Sequence, residues 1–325
     1  MSSKQALSTQ WAGAGFLAGA FSVALLVSLP AKAQTYKWKE VEPHFEVLRD
    51  AAYKTPSGAD IKFTAIRFHL GYFRLKLAST QETLAAGRDV KDGIARFKVN
   101  GEPKAELLSY SLEGTLNHLK EKPTALAPAG WATNQRNPAQ IALLRINGRT
   151  IYKPTSLPSF SAVLCLNDID YYKDYDAIVP VVFTSNDITN LNPRAAKCKD
   201  AVQLGPRIVE EGGKRGITES ELRTEKYQRV IFFVDDPLRD DKLPARSREA
   251  GRNGYILLTH NKVHLFDLQT MLLDKPIYAG GRAHWAVNLA GDDHTGLLIN
   301  TPPEPELIEN TLATVGSVLI VERRD

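Results

Sequence analysis

Short apolar runs cut off by turn residues recur along most of the chain, and their spacing constrains the fold more than any other feature. They are IKFTAIRFHL (61–70), FRLKLAST (73–80), QIALLRI (140–146), TIY (150–152), SAVLCLN (161–167) and AIVPVVFTS (177–185). QRVIFFVDD (228–236), GYILLTH (254–260), HWAVNLAG (284–291), TGLLIN (295–300) and GSVLIVERR (316–324) follow. Their length, their β-branched content and their alternation predict strands, and Asn147-Gly148 between two runs predicts a hairpin turn. Helical periodicity is confined to AELLSYSLEGTLNHLKEK (105–122) and VHLFDLQTMLL (263–273). Many strands, few helices and no regular β-α alternation predict an α+β fold, with mixed, strand-rich sheets in a single large domain. The charged stretch 235–253 reads as a solvated loop, with a flap beside a site as the sharper alternative.

Residues 1–33 stand apart. Lys4 precedes an apolar run ending in FLAGAFSVALLVSL (16–29), then Pro30 and Ala31-Lys32-Ala33. A charged start, an apolar centre and an A-x-A site in that order predict a signal peptide cut before Gln34, leaving a domain over 34–325. The alternative is an uncleaved anchor, since the apolar stretch counted from Ala12 approaches spanning length. The expected location is periplasmic or secreted, with membrane contact only through the export signal. Composition agrees with a globular chain: 43% hydrophobic and 24% charged. The formal charge is +4, and Lys4 and Lys32 lie in the leader, so the remainder is too balanced for a nucleic-acid partner. In an oxidising compartment Cys165 and Cys198 are expected to form a disulfide, with two buried free thiols as the alternative.

The mature chain has no G-x-S-x-G elbow, no P-loop and no H-E-x-x-H. His260 and His264 are four apart but straddle a strand end and a turn, so they read as ordinary histidines. No metal and no cofactor are expected.

Three segments carry more information together than singly. They are the stretch 105–122 running into TALAPAGWA and PAQIALLRINGR, then AVQLGPRIVEEGGK (201–214) with Arg229 beyond it, and finally 263–299. In this order and spacing the chain resembles the phosphodiester glycosidase family, bacterial relatives of the lysosomal uncovering enzyme. The resemblance runs from about Trp38 to Asn300 and ends in a divergent active-site loop. Gly205 and Pro206 match the family's Gly-Pro turn, and Arg229 matches its strand-opening Arg. Asn288, Leu289 and Gly291 match the run into the last loop, and Gly130-Trp131 stands at the family's Gly-aromatic pair. Ala290 replaces the family Asp, His294 replaces its Ser, Asp292 and Asp293 replace small residues, and Pro128-Ala129 replaces an Asn.

The resemblance implies hydrolysis of a glycosyl-1-phosphodiester or related cell-envelope glycan, through an oxocarbenium-like state with a weakly basic leaving group. Such chemistry needs a cation for phosphate and a carboxylate near the anomeric carbon. Arg229, Asp292, Asp293 and His294 are the expected catalytic residues. Gly130, Trp131, Gly205, Pro206, Asn288 and Gly291 are the expected substrate-binding residues. Asp292 stands two residues from the family Asp, up to roughly 7 Å along extended chain, so the loop must be rebuilt for it to serve. The alternative function is a non-catalytic envelope module that kept the scaffold and binds glycan or a protein.

Overall fold

The computed structural model describes residues 36–91, 94–99, 102–133, 138–166, 181–184, 198–217, 225–235, 253–274, 283–308 and 314–324. The leader 1–33, the stretch 236–252, and positions 177–180 and 185 of the run AIVPVVFTS thus lie outside the described residues. The strands are β1 (Lys39–Glu42), β2 (Phe45–Lys54), β3 (Asp60–His69), β4 (Phe73–Ser79), β5 (Asp89–Lys91), β6 (Ile94–Val99) and β7 (Glu102–Leu107). Next come β8 (Ala125–Pro128), β9 (Leu144–Ile146), β10 (Arg149–Tyr152), β11 (Ala162–Cys165), β12 (Val181–Thr184), β13 (Ala201–Leu204) and β14 (Arg207–Glu210). The rest are β15 (Lys214–Arg215), β16 (Arg229–Asp235), β17 (Asn253–Thr259), β18 (Ala283–Gly291), β19 (Leu297–Ile299), β20 (Glu306–Ile308) and β21 (Ser317–Arg323). The helices are α1 (Thr80–Ala85), α2 (Leu112–His118) and α3 (Leu265–Leu273).

An eight-stranded sheet runs β1-β2-β3-β17-β16-β18-β14-β15. Two five-stranded sheets, β10-β9-β13-β11-β12 and β20-β19-β8-β21-β4, and a three-stranded sheet β5-β6-β7 complete the framework. Strand alternation assigns the faces. In β16, Val230, Phe232 and Val234 enter one core while Ile231 and Phe233 enter another. The first core seals the large sheet against both five-stranded sheets, through Leu164 and Val202 of one and Ala127, Ile299 and Leu319 of the other. The second packs Leu265, Leu268, Met271 and Leu272 of α3 on Phe63, Ile231, Phe233 and Leu257. A third puts Leu112 and Leu116 of α2 on Leu126, Leu298 and Val318.

The architecture is mostly β, which corrects the α+β expectation. All described ladders are antiparallel, which corrects the expectation of mixed sheets. The largest single correction is 105–122. Residues up to Leu107 pair with β6 instead of coiling, and the helix starts only at Leu112, where the Ser111 hydroxyl accepts from the Gly114 N–H at 3.0 Å. Leu119 is already extended, and Pro123 follows. The hairpin between β9 and β10 forms as expected. Arg149 pairs with Ile146, and Asn147 (φ 51°) and Gly148 (φ 79°) both have positive φ, as a two-residue primed turn requires.

Cys165, at the end of β11, is bonded to Cys198, with 5.9 Å between their α-carbons and 33 residues of sequence separation. Leu143, Val163 and Ala201 surround the bond. Closing a loop of this length stabilises a fold by about 3–4 kcal/mol in the chain-entropy model, less whatever strain the native state carries. Urea unfolding with and without reductant is expected to differ by up to that amount, and thiol labelling of unreduced, denatured protein is expected to find no free cysteine.

Candidate functional site

β16 and β18 meet where Arg229 pairs with Gly291 and Val230 with Ala290, but the next pair is Ile231 with Asn288. Leu289 is the extra residue of a bulge, so Leu289 and Ala290 both turn into the first core while Asn288 keeps the opposite face. That opposite face is the floor of a cleft of about 980 Å³. Its lining includes the apolar residues Trp131, Phe160, Pro206, Ile217 and Leu265 and the polar residues Glu225, Tyr227, Arg229, Asp292, Asp293 and His294.

Arg229 is 8% exposed, and its guanidinium carbon lies 4.8 Å from the Tyr227 ring centroid. Its backbone N–H donates to Thr259 Oγ1 at 2.8 Å. The buried Nε has no acceptor, and no carboxylate among the described residues forms an ion pair with the side chain. Burial pushes its pKa down to about 10, against the opposing influence of Tyr227, Glu225 and Asp292. The group is therefore cationic at neutral pH. Gly291 makes room for it, since a β-carbon there would sit 2.8 Å from Arg229 Nη1. Tyr227 in turn is hydrogen-bonded to Glu225, which with burial raises the phenol pKa.

Asn288 is fully buried, and neither Oδ1 nor Nδ2 has a hydrogen-bond partner. Two buried side chains on paired strands thus bring three unsatisfied polar atoms to one place. Such atoms are costly in an apolar interior unless a ligand or water completes them.

The rebuilt loop is a single 3-10 turn, Asp292–His294. Asp292 opens it at φ 56°, with its N–H donating to Gln228 O at 3.0 Å and its carbonyl accepting from Thr295 N and Oγ1. Both carboxylates are exposed at the rim. His294 is 9% exposed, and its Nδ1 lies 2.7 Å from the Thr314 carbonyl. A carbonyl only accepts, so Nδ1 carries a proton and Nε2 of the neutral ring is an acceptor.

Arg229, Asp292, Asp293, His294, Trp131, Pro206, Asn288 and Gly291 all line the cleft. Gly130 and Gly205 are not among the lining residues, and both pack behind ones that are. A β-carbon on Gly205 would lie 2.7 Å from the Trp131 ring and 2.8 Å from Asn288 Nδ2. Gly130, at φ 117°, turns the chain beside Gln140 and so aims Trp131, whose ring meets Phe160 edge-on at 5.4 Å. Ala290 lies in the core, so the carboxylates come from the turn and not from the strand. His260 is bonded to Thr64 Oγ1 at 2.8 Å, and His264 precedes α3. Sequence reasoning missed Tyr227 and Glu225. The alternation Tyr227-x-Arg229-x-Ile231 was the available signal. Phe160 comes from a loop with no such signal.

No family model matches the sequence, and no curated protein does. Among solved structures the chain is similar to the catalytic domain of zebrafish N-acetylglucosamine-1-phosphodiester alpha-N-acetylglucosaminidase, auto-inhibited by its pro-peptide. The TM-score is 0.51 at 11% identity, over 90% of this chain and 87% of that one. A hypothetical protein from Synechocystis is similar at TM-score 0.52 and 12% identity, over 90% of this chain. The match spans 64% of that longer protein. These likenesses establish a shared fold at remote distance.

Because a buried cation without a counter-ion destabilises a fold, Arg229→Met is expected to raise the unfolding free energy by about 1–3 kcal/mol. Urea denaturation of the two proteins measures this, and an equal or lower midpoint for Arg229→Met contradicts the view of Arg229 as an uncompensated charge.

Proposed function

We propose that the chain is an exported hydrolase acting on a glycosyl-1-phosphodiester or a related cell-envelope glycan. The observation that carries this reading is the unpaired Arg229 beside the unsatisfied Asn288 amide, at the floor of a cleft with aromatic residues in its lining. Phosphate oxygens supply the acceptors that Arg229 Nε and Asn288 Nδ2 lack. The Trp131 ring offers an apolar face to a sugar. The remote likeness to a phosphodiester glycosidase domain supports the same substrate class by analogy of fold.

In this reading a water oxygen attacks the anomeric carbon, and the bond from that carbon to the phosphate oxygen breaks. The phosphomonoester leaves with the electron pair and the water proton passes to His294 Nε2. Asp292 and Asp293 place negative charge beside the developing oxocarbenium, and Arg229 neutralises the leaving phosphate. Ala290, where the family carries its Asp, favours a second reading in which the scaffold binds glycan without hydrolysing it.

The test is release of free sugar from a panel of sugar-1-phosphodiesters. Arg229→Ala and Asp292→Asn are each expected to fold and to lose about 100-fold or more in turnover. Release from no member of the panel, with glycan binding retained, decides for the binding module. Activity with Asp292→Asn as fast as the parent protein removes Asp292 from the mechanism. Export is tested separately: intact mass of the protein from the envelope fraction is expected to begin at Gln34, and a retained 1–33 segment marks an anchor.

A further inference from the structure

The reaction proposed above changes the charge of its phosphate. A phosphodiester carries one negative charge at any pH near neutrality. The phosphomonoester left after cleavage loses a further proton with a pKa near 6 and becomes largely doubly charged at pH 7. The cleft meets both species, and its own charges differ in their effect on them.

Among the described lining residues the cations are Arg207 and Arg229. Arg207 is paired with Glu210 at 2.9 Å, so among the described lining residues Arg229 is the cation available to a ligand. Around it stand three carboxylates, Glu225, Asp292 and Asp293. Two of these, Glu225 and Asp292, act electrostatically on Arg229 without forming an ion pair with it. Tyr227 and His294 complete the titratable groups of the wall. The remaining unsatisfied atoms at the floor belong to a neutral amide, Asn288, which offers hydrogen bonds and no charge.

Among the described residues one phosphate charge therefore finds one guanidinium, while a second finds no further unpaired cation and the carboxylates Glu225 and Asp292. We propose that this cleft selects by number of charges, accepting a singly charged phosphodiester and expelling the doubly charged phosphomonoester. Glu225 and Asp292, the two carboxylates that act on Arg229, are the residues that enforce the discrimination. Glu225 and Asp292 are exposed, so the repulsion is screened by salt and is strongest at low ionic strength. Cleavage thus creates its own driving force for product release, and a free phosphomonoester inhibits poorly at neutral pH. This rests on the reading of the cleft as a phosphodiester site, but it concerns binding and is measured without turnover.

Two nearly isosteric probes separate the effects. Methyl phenyl phosphate is singly charged throughout, and phenyl phosphate changes from one charge at about pH 5 to two at about pH 7.5. Titration of the purified protein by NMR gives a Kd for each probe at each pH. The phenyl phosphate Kd is expected to rise about ten-fold or more between the two pH values, equivalent to about 1.4 kcal/mol. The methyl phenyl phosphate Kd reports any change in the protein's own charges and is expected to move by less than about three-fold. The double variant Glu225→Gln, Asp292→Asn is expected to close most of the gap between the probes, and Arg229→Ala to abolish binding of both. Equal pH response of the two probes overturns the proposal, as does absence of binding by either. A gap that persists in the double variant overturns the assignment to these carboxylates. Charge selection without any sugar release leaves this inference standing and ends the hydrolase reading. Sugar release without charge selection does the reverse.

Discussion

All seven residues of β16 are buried, so water is excluded from both faces of that strand and each face has to be covered by chain from elsewhere. The same holds for most of β17 and β18, its neighbours on either side. One face is covered by two five-stranded sheets and the other by α3, which divides the interior into two cores that share a wall one strand thick. Apolar side chains satisfy this demand along β16 until its first residue. There the strand carries Arg229, and the site exists because the covering layers part around it.

The location of the site follows from that geometry. A polar side chain in the middle of β16 would need partners inside a core, whereas at the strand end it borders the loops. The bulge at Leu289 serves the same end. It keeps Leu289 and Ala290 both inward, separates Asn288 from the turn, and lets Asp292–His294 fold back over the strand end. The charge and the amide then come from two adjacent strands and the Asp292 and Asp293 carboxylates from the turn after β18, while the aromatic residues come from chain following β8 and chain preceding β11. A buried, unpaired cation costs stability, and its retention here is the pattern expected where an anion completes the site.

Legibility in the sequence divides along the same lines. Strands that are continuous apolar runs buried on both faces, such as β16 and β17, stand out within a residue or so of their ends. Phe45–Lys54 does not, although it is among the longest strands. Asp50 has φ 49°, and pairing slips between Leu48 and Ala51, so a bulge interrupts the two-residue period that would have marked it. The stretch 105–122 misled for the converse reason. Its leucines suit a helix, but tertiary pairing with β6 outweighs local propensity up to Leu107. In the site, Arg229 and the 292–294 turn were visible as polar interruptions at strand ends. The inward turn of Ala290 and the shared seat of Trp131 and Asn288 on Gly205 depend on neighbours remote in sequence, and nothing local announces them.

The cystine bears on what happens when the backbone is cut. It joins the end of β11 to the approach of β13, two strands that also pair directly with each other, Cys165 opposite Ala201 and Leu164 opposite Val202. Any single peptide bond broken between positions 165 and 198 leaves the two fragments tied both covalently and through the sheet. A protein nicked there by a protease stays one particle, runs as one band until it is reduced, and keeps β11 and β13 in register.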